Sequence, residues 1–292
     1  MFHLILNPAA GSGRAAKAIP ALHSALRAQS LEYTLQISQF VGHAAQLVQT
    51  LPPLETVVAV GGDGTLHELI GGVLSSAMPR PIGLIPLGTG DDFARGVGLP
   101  IAKLEAALEV VRRGRVGLFD AAKVGSRFLI NGFGVGFDAQ VARTVKTTPA
   151  FLPGSLRYLL AIVQELRLLK PRFVRVYADQ QLVHDDAALL IAVMNLKSYG
   201  GGLKINPNGN ATDGVLEIVI GAKFNRLSAV GILPRLAAGT HLGHPQVKVV
   251  QAKKIRLEWR DQMPAHIDGE LLEPAKIFEL EVLPRALQIV LP

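Results

Sequence analysis

The chain has 292 residues, of which 49% are hydrophobic, 18% charged and 5% aromatic, and a formal net charge of +7. That length fits two domains and that apolar content supports a packed core, which excludes wholesale disorder, while the scarcity of aromatics argues against a base-stacking platform for single-stranded nucleic acid. With no cysteine, disulfides, thiolate metal sites and cysteine nucleophiles are excluded, a composition that suits a reducing cytoplasm; the basic balance favours nucleotides, anionic lipid surfaces or nucleic acid as partners.

In chain order, Phe2–Leu6 reads as a buried strand, followed by the glycine turn Gly11-Ser12-Gly13 and an Ala-rich helix to about Ala28. Tyr33–Ile37 and Thr56–Val60 are apolar and β-branched enough for strands, with a helix from His43 to Thr50 between them. A helix over Thr65–Leu74, a strand over Ile82–Ile85 and an amphipathic helix over Ile101–Arg112 continue the alternation. Strands separated by helices of this length predict βαβ units and a parallel sheet.

The pattern changes after Phe119. Ala121–Asn131 is strand-like, and Ala139–Val145 and Ser155–Leu169 are helical. Short strands then follow at 172–178, 188–195, 215–220, 247–250, 255–259, 277–282 and 287–290, interrupted by one helix over Leu227–Ala237. Such a run, bounded by Gly, Pro and Asn, predicts a β-sandwich domain over 120–283 after an α/β domain over 1–119. The amino terminus lacks a basic n-region, and the longest apolar run, Ala187–Met194, is far below the roughly 20 residues of a membrane span. The expectation is a chain that is soluble or peripheral to a membrane.

Gly61-Gly62-Asp63-Gly64-Thr65 falls at the carboxyl end of a strand and the start of a helix. Open parallel sheets bind ligands at those ends, and glycines let backbone amides approach a phosphate chain. Asp63 would suit Mg²⁺ or a nucleotide hydroxyl; a glycine turn with Asp as a helix cap fits the same residues. Pro86-Leu87-Gly88-Thr89-Gly90-Asp91-Asp92-Phe93 repeats the arrangement after the next strand, and the pair outlines one polar crevice. Asn7-Pro8-Ala9-Ala10-Gly11-Ser12-Gly13 supplies a third loop on that side. Its Gly11-x-Gly13-x-x-Ala16 spacing raises a dinucleotide-binding alternative, but the second strand ends in Ser38-Gln39 where an acidic ribose ligand is needed. No GxxxxGK[ST] sequence occurs, which excludes a Walker-type ATPase.

His266-Ile267-Asp268-Gly269-Glu270 reads either as an ordinary hairpin turn or as the source of a general base for an attacking hydroxyl. Asn210-Ala211-Thr212-Asp213-Gly214-Val215 reads as an Asp-Gly turn or an all-oxygen site for a hard cation. His241-Leu242-Gly243-His244 fits a surface loop better than a metal pair, and close packing of a strand turn suffices to explain Gly132-Phe133-Gly134-Val135-Gly136.

Together these motifs resemble the diacylglycerol kinase catalytic family, which also contains sphingosine and ceramide kinases. Asn7-Pro8 with Gly11, Gly61–Thr65, Pro86–Phe93, Asn131 through Asp138-Ala139, Asp213-Gly214 and Asp268-Gly269-Glu270 fall in family order across nearly the whole chain. The resemblance implies an α/β nucleotide domain like that of NAD kinases and phosphofructokinases, then a β-sandwich domain, with a last strand near 284–292 returning to the first. It implies ATP and Mg²⁺ as cofactors, transfer of the γ-phosphate to a lipid hydroxyl, and a cytoplasmic enzyme peripherally associated with a membrane. Asn7, Pro8, Gly11, Ser38, Gly61, Gly62, Asp63, Gly64, Thr65, Leu66, His67, Thr89 and Asp92 would line the ATP site. Glu270 would accept the hydroxyl proton, with Asp268 beside it and Asp63 organising the nucleotide and catalytic Mg²⁺. Asp213, with the carbonyls of Asn210 and Val215, would hold a structural Mg²⁺. Asp91 and His67 stand where the family usually has Asn; the added charge of Asp91 would either recruit metal or weaken ATP binding.

An NAD kinase-like small-molecule kinase shares the Gly-Gly-Asp-Gly loop, and a non-catalytic nucleotide- or lipid-binding protein is the other alternative. The segment from Ala139 to Val176 holds seven basic residues against Glu165 alone, together with the apolar run Tyr158–Val163. Arg157, Arg167 and Lys170 are therefore expected to meet an anionic lipid surface; a solvated helix face is the competing expectation. Nucleic acid is the least suited anionic partner, since no recognition module accompanies the charge.

Overall fold

The computed structural model describes residues 1–76, 78–149, 152 and 154–292. These divide into two compact units, residues 1–119 with 285–292 and residues 120–284.

The first unit is built on strands β1 (Phe2–Leu6), β2 (Tyr33–Ile37), β3 (Thr56–Gly61) and β4 (Pro81–Pro86). All pair in parallel in the order β2-β1-β3-β4, and Gln288 and Ile289 near the end of the chain pair in parallel with Pro81 and Ile82. β3 and β4 are buried nearly throughout, as their continuous apolar runs require in a sheet covered on both faces. Helices α1 (Ala10–Lys17), α2 (Ile19–Ala28), α3 (His43–Thr50), α4 (Asp63–Ser76), α5 (Asp92–Val97) and α6 (Leu104–Arg113) connect the strands. The expected glycine turn Gly11-Ser12-Gly13 holds left-handed backbone at the start of α1, and the single helix expected to Ala28 is two because Ala18 ends α1 and Pro20 opens α2. Leu22 and Leu26 of α2 and Leu108 and Val111 of α6 pack on Leu4, Val58 and Ile85 of the sheet.

The second unit contains the end of β5 (Val116–Val124), then β6 (Arg127–Leu129), β7 (Gly132–Gly136), helices α7 (Phe137–Thr147) and α8 (Gly154–Leu166), β8 (Arg172–Ala178), β9 (Gln181–Met194), β10 (Leu216–Ala222), α9 (Arg226–Ala238), β11 (Val247–Ala252), β12 (Lys254–Ile267) and most of β13 (Glu270–Val290). Its strands are antiparallel. β9 and β12, each 14 residues long, pair with β8 at one end and with β7 at the other. Long strands that change partners in this way form the corners of a sandwich. Leu129, Phe133, Val176, Ile191, Ile218 and Trp259 share its core. Helices α7, α8 and α9 cover one side through a second cluster that includes Phe137, Val141, Ile162, Leu189 and Phe224. The α/β architecture followed by a β-rich sandwich is thus the one the sequence predicts. Among the described residues, no helix is long and apolar enough to cross a membrane.

Candidate active site

In the first unit, the loops at the carboxyl ends of β1, β3 and β4 are locked together by backbone contact. The Asn7 N–H donates to the Val60 carbonyl at 3.1 Å, and the Asn7 side chain accepts from Ala9 N–H at 3.0 Å. Ser38, buried at the end of β2, donates its N–H to the Leu6 carbonyl at 2.8 Å. Leu87 N–H donates to the Gly61 carbonyl at 2.8 Å, and Arg14 donates to the carbonyls of Gly11 and Gly88. Glycine is needed at the crossing: a Cβ on Gly62 would lie 2.8 Å from Gly88 Cα, and one on Gly11 would strike the Leu87 carbonyl oxygen. Asn7, Gly11, Ser38, Gly61, Gly62 and the Thr89–Asp92 loop therefore share one edge of the sheet.

Asp63 is the clasp of this edge. Its two carboxylate oxygens accept from the first N–H groups of α5, those of Asp92 and Phe93, each at 3.0 Å. These are donors a helix cannot satisfy internally, so Asp63 caps a neighbouring loop's helix and keeps one further lone pair on each oxygen. Burial pushes the Asp63 carboxyl up to about 6, with the negative charges of Asp92 and Asp91 adding to the rise and the two N–H bonds opposing it. Between its ordinary value of 3.8 and about 6 the native chain binds a proton that the unfolded chain has released. This group's contribution to stability is therefore full below about pH 4 and lost as pH rises through about 6. Carboxyl-carbon NMR is expected to show one aspartate titrating near pH 6 that is missing from Asp63→Ala; a spectrum with every aspartate below pH 5 would refute the assignment.

Asp91 does not project from its loop. It holds left-handed backbone at φ 50°, is buried, and its carboxylate accepts from Gly88 N–H at 3.0 Å. Burial raises the Asp91 carboxyl, while the Gly88 N–H and the charges of Arg14 and Arg95 act the other way. Thr65 is buried, and its hydroxyl has no hydrogen-bond partner. Leu66 is buried, His67 half-buried, Gly64 and Thr89 exposed, and Asp92 buried.

In the second unit, Asp268-Gly269 forms the two-residue turn between β12 and β13, with Ile267 opposite Glu270. Both turn residues have positive φ, 50° and 88°, which an Asp-Gly pair tolerates. Asp268 faces the chain rather than solvent: Oδ1 accepts from Asn131 N–H and Gly132 N–H at 2.9 Å each, and Oδ2 from Ile130 N–H at 3.0 Å. Its own N–H donates to the Gly132 carbonyl at 2.9 Å. The turn is thereby sewn to the start of β7, and Glu270 opens β13 with a half-exposed carboxylate 3.8 Å from Lys146 Nζ of α7.

Behind the turn lies a buried polar group in which Asp138 and His266, both within motifs named from the sequence, meet Tyr199, which the sequence did not single out. The Tyr199 hydroxyl donates to Asp138 Oδ2 at 2.6 Å, and Asp138 Oδ1 accepts from Ala139 N–H at 2.8 Å. Burial, then the charge of Asp138, raises the Tyr199 hydroxyl well above its ordinary value, so it remains a donor. His266 Nε2 stands 3.6 Å from Asp138 Oδ2, and its Nδ1 accepts from Gly269 N–H at 3.4 Å. A Cβ on Gly134 would occupy the space between Asp138 and His266, so the glycines of 132–136 form a buried strand shaped around these side chains. The spacing Gly134…Asp138 within that stretch was the available signal.

The Asn210–Val215 loop is a separate feature of the second unit. Asp213 is exposed and one oxygen accepts from Val215 N–H at 3.2 Å, leaving the other open. Asp120 holds the loop, accepting from Gly214 N–H at 2.7 Å and donating its N–H to the Ala211 carbonyl at 2.7 Å. The donors are all oxygens, which suits a hard cation such as Mg²⁺. Among the described residues, no group of three or more His, Cys, Asp or Glu side chains forms a metal cluster. His241, expected in a surface loop, is buried with Nε2 on the Ile205 carbonyl at 2.9 Å, and His244 stacks on Phe224.

Residues 1–124 match the diacylglycerol kinase catalytic domain, and residues 132–291 match the YegS C-terminal NAD kinase beta sandwich-like domain. The chain belongs to the diacylglycerol kinase catalytic-domain family. It is 30% identical over 301 aligned residues to a diacylglycerol kinase of Mycobacterium tuberculosis, covering 99% of this chain and 94% of the relative. It is 27% identical to a diacylglycerol kinase of Staphylococcus saprophyticus, covering 91% and 88% of the two chains. A solved diacylglycerol kinase from Bacillus anthracis shares the fold with a TM-score of 0.77 at 21% identity, covering 100% of this chain and 96% of that one. An NAD kinase from Archaeoglobus fulgidus, solved in complex with ATP, is similar in fold with a TM-score of 0.56 at 14% identity over 99% and 93% of the chains.

Proposed function

We propose that this protein is an ATP- and Mg²⁺-dependent lipid kinase that transfers the γ-phosphate to a lipid hydroxyl, working at a membrane surface in the cytoplasm. The observation that carries the reading is the edge of the first unit, where three glycine loops meet with no room for a Cβ at Gly11 or Gly62. Such backbone is suited to a phosphate chain, to which it presents N–H groups. Asn7, Pro8, Gly11, Ser38, Gly61–His67, Thr89 and Asp92 line the nucleotide in this reading, and the partnerless Thr65 hydroxyl is a donor for it.

Bound Mg²⁺ supplies neutralisation of the charge that develops on the transferring phosphate. Asp63 has lone pairs left for that ion or its water after capping α5, and Asp213 with the carbonyls of Asn210 and Val215 holds a second, structural cation. Glu270 takes the proton from the lipid hydroxyl. The hydroxyl oxygen forms a bond to the γ-phosphorus as the bond from that phosphorus to the β–γ bridging oxygen breaks, and ADP leaves. Glu270 is placed for this by Asp268, a positioning residue whose carboxylate accepts three backbone N–H groups.

The test is transfer of labelled γ-phosphate from ATP to a panel containing diacylglycerol, a sphingoid base, phosphatidylglycerol and NAD, with Glu270→Gln alongside. Label is expected in one lipid, falling by roughly 10²-fold or more in Glu270→Gln while ATP binding is kept. Label in NAD alone, or in no acceptor, would defeat the proposal.

A further inference from the structure

Helix α8 carries two apolar faces. Ala161, Ile162 and Leu166 are buried in the cluster shared with α7 and α9. On the other side Leu156, Leu159, Leu160 and Val163 are 40%, 50%, 44% and 48% exposed. Their spacing, i, i+3, i+4 and i+7, places them on one stripe of the helix. A lone exposed leucine is ordinary, whereas four in helical register form a continuous apolar surface. At the carboxyl end of the stripe Leu168 is 69% exposed. There Arg226 donates to the Arg167 carbonyl at 2.6 Å, bringing the start of α9, with Leu227 85% exposed, to the same end.

The charges around this stripe are one-sided. Arg167, Lys170 and Arg226 are exposed, as is Arg143 on α7. Glu165, the single acid of α8, is half-buried and accepts from the Thr144 hydroxyl at 2.6 Å. Arg172 is paired with Asp261. Arg157, expected from the sequence to meet lipid, is instead turned inward: it donates to the Thr148 hydroxyl at 3.0 Å and the Val145 carbonyl at 2.8 Å, closing the end of α7. An apolar helix stripe with a cationic border is complementary to an anionic bilayer interface, where leucines enter the headgroup boundary and the cations meet phosphates.

We propose that the exposed stripe of α8, with Arg167, Lys170 and Arg226 at its carboxyl end, is the surface by which the second unit docks on an anionic lipid membrane. The inference rests on the lipid-kinase reading for why a membrane is the partner, but docking is measured without catalysis. The full chain is floated with vesicles of phosphatidylcholine containing about one third phosphatidylglycerol, and with vesicles of phosphatidylcholine alone. Wild type is expected on the anionic vesicles only, and to be released as salt rises from about 0.1 M to about 0.5 M. The double variant Leu159→Glu/Leu160→Glu is expected to lose at least about tenfold in partitioning, since it puts charge where the stripe would insert. Arg167→Glu/Lys170→Glu is expected to lose at least as much, each basic residue contributing about fivefold. All four side chains are exposed, and circular dichroism checks the fold.

Phosphorylation of a short-chain, water-soluble diacylglycerol separates the two readings. Retained activity there with lost flotation supports docking by α8. If wild type phosphorylates no lipid, the kinase reading fails while the flotation result still decides the surface. Flotation of both double variants at the wild-type level would overturn the proposal. So would a wild-type dimer that Leu159→Glu/Leu160→Glu dissociates without changing flotation, since the stripe would then cover a second copy of the chain.

Discussion

Asp268→Ala is expected to lower the melting temperature by about 10 °C and to remove measurable phosphoryl transfer. Its carboxylate accepts three backbone N–H groups, from Ile130, Asn131 and Gly132. Hydrogen bonds to a charged group contribute about 1.5–3 kcal/mol each, less when they share one acceptor and are lost together. Asn131 and Gly132 are buried, so their donors cannot recover by turning to water. Alanine also tolerates the left-handed backbone at φ 50° less well than aspartate. A combined loss of about 4 kcal/mol is a large share of the stability of a domain, and for a unit of this size it corresponds to the stated fall. Asp268→Asn separates charge from shape. It keeps one acceptor oxygen but turns an amide donor toward a backbone donor, so its melting temperature is expected between the two. Equal melting of wild type and Asp268→Ala, by calorimetry, would show that the three bonds carry no such weight.

The same residue shows what was and was not legible in the sequence. Asp268-Gly269 could be read as a hairpin turn, and the structure has that hairpin, because the pair's preference for left-handed backbone is local. The donors that fill its carboxylate lie 136 to 138 residues earlier, and nothing in the turn's own residues points to them. Asp63 repeats the lesson: the Gly-Gly-Asp-Gly loop was legible as a polar strand end, but the α5 N–H groups that Asp63 caps are contributed by a loop about 30 residues on.

Strand periodicity located β1, β2, β3 and β8 to within a residue. It divided the 21-residue β13 into two pieces because Pro284 and Arg285 interrupt the apolar pattern without ending the strand. In α8 the apolar run Tyr158–Val163 was legible, and the packing of α7 and α9 on one face is what separates its buried members, Ala161 and Ile162, from the exposed Leu159, Leu160 and Val163.

Gly62→Ala is expected to weaken ATP binding by about 10²-fold while leaving the helices and strands intact. The backbone of Gly62 does not have positive φ, so alanine is acceptable there by conformation alone. The penalty is entirely one of space: its Cβ would lie 2.8 Å from Gly88 Cα and 3.5 Å from Asp91 Oδ1. The first of these neighbours is backbone and cannot rotate away, so the loops after β3 and β4 must part by several tenths of an ångström or more. Parting them strains the Asp63 bonds to Asp92 and Phe93 and the Asp91 bond to Gly88, the contacts that in the proposed function would set the amides in register for phosphate. Misplacement on that scale is enough to cost about two orders of magnitude where several donors must act on one ligand. Gly71→Ala is the matched control: it lies in the interior of α4, and a Cβ there meets nothing within 4 Å. That variant is expected to bind ATP normally and to gain about 0.5–1 kcal/mol of stability from helix propensity. Calorimetric titration of both with ATP and Mg²⁺ decides the matter. Tight binding by Gly62→Ala would mean that the nucleotide does not depend on the Gly62–Gly88 crossing, and the phosphate site would have to be sought elsewhere on the chain.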